Sequence, residues 1–86
     1  MIILTVEDKE LKFDPSTDGY NQYCNELMPH NKVAPNHNFL MRSVHKDSKK
    51  DLKALLELPG VAMQLGDALS QTFAPALQVT VGKPKR

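Results

Sequence analysis

The chain has 86 residues, 41% hydrophobic and 24% charged, and 11 basic against 10 acidic side chains leave a formal charge of +1. A chain this short buries roughly 60 to 65% of the surface its unfolded form exposes, which allows one core and excludes a deep cleft between domains. The longest apolar run, near Met1, falls far short of the ~20 residues that span a bilayer and has no basic leader before it. The single cysteine rules out an internal disulfide framework, so a cytoplasmic protein is expected.

Ile2 to Val6 is apolar and largely β-branched, and after Glu7 to Glu10 the run Leu11-Lys12-Phe13 alternates with period two, which predicts a β-hairpin. Asp14-Pro15 offers a capping acceptor followed by proline at a first helical position. A first helix is therefore expected from there to about Met28, where Pro29 removes a backbone donor. Within it Tyr20, Tyr23 or Cys24, and Leu27 recur at helical spacing. His30 to Ala34 reads as a loop, and Pro35 opens a short second helix in which Phe39, Leu40, Ser43 and Val44 share a face.

Ser48-Lys49-Lys50-Asp51 matches a capping box ahead of Leu52, Leu55 and Leu56, predicting a third helix. Pro59-Gly60 interrupts it, and Val61 to Phe73 resumes with Val61, Leu65 and Leu69 at four-residue steps and Asp67 as its one charge, the pattern of a largely buried helix. Leu77 to Val81 alternates again and is expected to return as a strand beside the hairpin. The expected order is ββααααβ: a single α+β domain over residues 1–82, then a short basic tail over 83–86.

Charge is unevenly spread. Residues 1–28 carry six acidic side chains and two lysines, whereas 29–86 carry nine basic and four acidic, three of those nine being Lys83, Lys85 and Arg86. Opposite charge on the two ends permits head-to-tail self-association, so a homo-oligomer is one expectation. A nucleic-acid binder concentrates basic charge on one face, and the helix Val61 to Phe73 has no basic residue to aim at bases or phosphates, so a helix-turn-helix reading of Leu52 to Phe73 is not favoured.

Catalytic constellations are equally thin. His37 and His45 lie eight positions apart, about 12 Å along one continuous helix, too far to share an ion bound at ~2.1 Å. Ser43, His45 and Asp47 spell a triad, yet two-residue steps on a helix would turn His45 away from the other two. Cys24 reads as a small buried or half-buried thiol, and the glycines form no phosphate loop. No enzyme, cofactor, metal or small-molecule substrate is expected. Met28, Met41 and Met63 suit either core filling or a surface that must fit variable apolar partners.

Two stretches, Met28-Pro29-His30-Asn31-Lys32-Val33-Ala34-Pro35-Asn36-His37-Asn38-Phe39-Leu40-Met41-Arg42 and Leu58-Pro59-Gly60-Val61-Ala62 with the apolar helix after it, resemble a family of small phage tail assembly chaperones, and the likeness runs nearly end to end. The resemblance implies a non-enzymatic protein of long-tailed bacteriophages or prophages that acts in the bacterial cytoplasm. Its implied partners are the tape measure protein, which it binds transiently, and the tail tube protein, whose assembly it promotes before leaving; it would be missing from the mature virion. No nucleic acid or membrane is implied as a partner. The Pro-flanked loop and second helix, with Lys32, Val33, Pro35, Phe39, Met41 and Arg42, are the expected partner-binding surface, because a non-polar, basic loop between prolines has no evident structural reason. The rival readings are a small regulatory or nucleic-acid-binding domain and a structural tail component.

Overall fold

A computed structural model describes residues 1–75 together with Leu77, Thr80 and Gly82. Strand β1 (Ile2–Val6) pairs antiparallel with β2 (Lys9–Phe13), Ile2 opposite Phe13 and Val6 opposite Lys9. The tight connection places Glu7 at φ 55°, left-handed backbone that a non-glycine residue seldom adopts. Because side chains alternate, Ile2, Leu4, Val6, Leu11 and Phe13 share the inner face. Leu11 and Phe13 are fully buried there, while the three from β1 are half-buried.

The far edge of β2 is sealed by residues 43–48. Asp14 N–H donates to the Ser43 carbonyl at 2.7 Å, His45 N–H to the Lys12 carbonyl at 2.8 Å, and Lys12 N–H to Ser48 Oγ at 3.0 Å. This edge explains two departures from the sequence reading. Asp14 does not cap the first helix. Its backbone belongs to the sheet, and α1 (Thr17–Glu26) is capped instead by Ser16, whose Oγ accepts from Gly19 N–H. Nor does the capping box at Ser48 form, since its hydroxyl serves Lys12; a 3-10 turn (Lys46–Ser48) leads into α3 (Lys49–Leu56), and His45 Nδ1 caps that turn by accepting from Asp47 N–H at 3.2 Å.

Helix α1 ends at Leu27, whose extended backbone leads into a tight turn where Met28 and Asn31 exchange N–H···O bonds of 3.2 and 3.0 Å around Pro29-His30. Helix α2 (Val33–Ser43) begins two residues before Pro35, which sits in the first turn where its missing N–H costs nothing. Helix α4 (Val61–Phe73) follows Pro59-Gly60, with Gly60 at φ 78°, the left-handed position that glycine takes without penalty. Its buried side is Ala62, Leu65, Gly66 and Leu69.

One cluster joins the elements: Leu11 and Phe13 from β2, Tyr23 from α1, Phe39 and Leu40 from α2, Leu52 from α3, and Leu65 and Leu69 from α4. Tyr23 stacks on Phe39 at 4.8 Å between centroids, and Tyr20 bridges Phe39 and Phe73 at 6.0 and 5.8 Å. The architecture is α+β, an N-terminal two-stranded hairpin followed by four helices. The strand expected over Leu77 to Val81 lies outside the described residues.

Candidate functional site

Helices α2 and α4 begin side by side. Asn36, in the first turns of α2, meets Met63 and Gly66 of α4, while Tyr20 touches Phe39 and Phe73 farther along, so the two helices run in the same direction. Gly66 makes the approach possible, for a Cβ there would fall directly on the Asn36 side chain. Asn36 is buried and fully engaged: its Oδ1 accepts from the Tyr23 hydroxyl at 3.0 Å, and its Nδ2 donates to the Lys32 carbonyl at 2.7 Å and toward Met63 sulfur at 3.5 Å. A buried amide with its partners in place fixes three helices at one point, since any shift would strand a polar group.

Burial pushes the Tyr23 hydroxyl above its ordinary pKa, and the Asp67 carboxylate nearby adds to this. Tyr23 therefore stays a proton donor to Asn36 throughout the neutral range.

Above this rigid floor lies a groove of about 710 Å³. One wall is the end of α1 and its turn, with Leu27, Met28 and Pro29; the other is the first half of α4, with Met63, Gln64 and Asp67; Lys32 closes one end. Met28 is 61% exposed, and Leu27 and Met63 are each 36% exposed. Three large apolar side chains around one groove, two of them flexible thioethers, form a surface that can fit varied apolar shapes.

The structure divides the six residues expected from sequence. Lys32 lines the groove, and Val33, 62% exposed, stands beside it at the start of α2. Arg42 is exposed at the far end of α2, 3.7 Å from Glu26. Pro35 and Phe39 face inward and are fully buried, and Met41 packs half-buried against the core, so the helix periodicity that gathers them serves the fold. Sequence reasoning missed Leu27, Pro29, Gln64, Asp67 and the Tyr23–Asn36 pair. The one signal was the ambiguity of the methionines: Met28 and Met63 line the groove, Met41 the core.

The other constellations resolve locally. Helix α2 ends at Ser43, so His45 and Asp47 are not on it and the rotation argument does not apply; His45 Nδ1 lies 3.4 Å from the Asp47 carboxylate, within the turn it caps, and Ser43 is buried. Cys24 is exposed rather than buried. Among the described residues no three His, Cys, Asp or Glu side chains stand close enough to hold a metal ion, and no helix is long and apolar enough to cross a membrane.

Comparison with known proteins gives this arrangement a context. Residues 2–83 match the family described as phage tail assembly chaperone. The chain is also similar to an uncharacterized 11.3 kDa protein in the lys 3' region of Haemophilus phage HP1 (strain HP1c1), 29% identical over 80 residues that cover 93% of this chain and 78% of the relative. No solved structure matches it. With nearly its whole length matched, the chain belongs to the phage tail assembly chaperone family.

Proposed function

We propose that this chaperone transiently binds the tape measure protein by holding a helical apolar face of it in the groove between α1 and α4, and so promotes assembly of tail tube subunits around it. The observation that carries the reading is the exposed trio Leu27, Met28 and Met63 over an ordered floor of Tyr23 and Asn36. A domain this small has little apolar surface to spare, and leaving these side chains in water has a cost that a partner helix would remove. No covalent chemistry is needed, and an open, shallow contact releases more readily than a deep, enclosed site. Lys32 and Val33 belong to the rim of this surface. Arg42 lies outside it, and Pro35, Phe39 and Met41 act through the fold. The protein works in the bacterial host cytoplasm and is not part of the finished virion.

The test is capture of the phage's own tape measure protein by the full chain and by the double variant Met28→Asp/Met63→Asp. Met28 is 61% exposed, whereas Met63 is 36% exposed with its sulfur 3.5 Å from Asn36 Nδ2, so the double variant is expected to lose about 1 to 2 kcal/mol and remain folded while capture is lost, and Met28→Asp alone keeps the thermal midpoint within a few degrees of the parent. Undiminished capture by the folded variant would place the binding surface elsewhere. Mass spectrometry of purified virions, expected to lack this chain, separates a chaperone from a structural tail component.

A further inference from the structure

The groove is electrically polarised along its length. Lys32 lies at the end formed by Met28, Pro29 and the starts of α2 and α4; Asp67 lies at the other end, beside Tyr23 and a turn farther along α4. Among the described residues neither has an ion-pair partner: the ion pairs join Met1 to Asp14, Lys9 to Asp51 and Arg42 to Glu26, and the Asp67 carboxylate only accepts from Gln71 on its own helix. Two helices begin at the Lys32 end with no acidic residue in their first turns, against one, α1, that ends there. The partial charges of the helix ends therefore reinforce Lys32 rather than cancel it.

Resting on the reading of the groove as the docking site, we propose that its occupant is an amphipathic helix laid antiparallel to α2 and α4, basic toward its N-terminus and acidic toward its C-terminus. Its apolar stripe covers Leu27, Met28 and Met63, a basic side chain from its early turns meets Asp67, and an acidic one from its later turns meets Lys32. Its own dipole then sets its negative end against the two helix starts. Apolar contact supplies the affinity, and the two rim charges choose between the directions in which a symmetric apolar stripe would fit equally well.

Two helix-stabilised peptides of about 20 residues test this, with one apolar stripe in common. One carries Lys two turns before Glu beside the stripe, a separation of about 10 Å along the helix; the other has them exchanged. The full chain is expected to bind the first about five-fold more tightly at low salt, with the preference shrinking as salt rises. The exposed-site variant Lys32→Glu/Asp67→Lys, with its thermal midpoint unchanged, is expected to invert the preference. Equal binding of the two peptides, or preference for the second, overturns the orientation while leaving the groove as a docking site if Met63→Asp weakens both. Binding of neither overturns the proposed occupant, and the capture assay with Met28→Asp/Met63→Asp then decides separately whether the docking site falls with it.

Discussion

The side of the molecule around β2 and the side around the groove use the same kinds of residue to opposite ends. Near β2 the closure is complete: Leu11, Phe13, Phe39 and Leu40 are fully buried, and the strand's outer edge is occupied by residues 43–48. At the groove the polar floor is likewise closed, with Tyr23, Asn36 and Lys32 joined by hydrogen bonds, yet Met28 above it is largely exposed and Leu27 and Met63 keep about a third of their surface in water. Order and apolar burial usually arrive together. Where order is present and burial is left out, apolar surface stays available to a partner, which is the basis of the docking site proposed above.

Substitutions can break this contrast, and the closed side is the more sensitive. Phe39→Ala removes a fully buried ring stacked on Tyr23 and is expected to cost about 3 to 5 kcal/mol, lowering the thermal midpoint by at least about 12 °C in calorimetry. Gly66→Ala forces a methyl group into Asn36 and should cost about 2 kcal/mol, even after the ~1 kcal/mol that alanine gains over glycine in a helix. Because it displaces the floor of the groove, it should also weaken tape-measure capture, unlike changes of similar size on the β2 side. Ser48→Ala leaves the Lys12 N–H without its acceptor and is expected to cost about 1 kcal/mol, read from the urea midpoint, with capture unaffected.

The smallest effect is in alkali. Burial raises the Tyr23 pKa from its model-compound value of 10.0, so the folded state holds this proton more firmly than the unfolded one. The stabilisation is complete below pH 10 and is lost as pH rises through the folded-state value. Urea titrations should show stability falling above that point, with a shallower fall in Tyr23→Phe; an identical slope would remove Tyr23 as a contributor.

The hairpin and the four helices were legible because each is set locally: alternation in residues 2–13, apolar spacing in each helix, and Pro29 and Pro59-Gly60 as punctuation. The caps were not, for Asp14 and Ser48 are good capping residues whose groups a distant part of the chain claims, and nothing local reveals that competition. The groove was the least legible. Its walls come from α1 and α4, and its closest approach depends on Gly66, which in sequence is only a helix-weakening residue. Lys32 and Val33 stood out because a non-polar, basic stretch between prolines is unusual by itself, and Lys32 lines the groove; Phe39 and Met41 were gathered with them because a helix's inward face looks the same in sequence as an exposed apolar one.

The sealing of β2 by residues 43–48 also bears on how the chain is made. During translation the hairpin leaves the ribosome first, but the groups that finish its second strand lie some 30 residues downstream, Ser48 being 36 positions from Lys12. The outer edge of β2 is therefore completed only after α2 and the turn after it have been made, because its partners are Ser43, His45 and Ser48. Until then the outward N–H and C=O groups of β2 that residues 43–48 will satisfy are left to water.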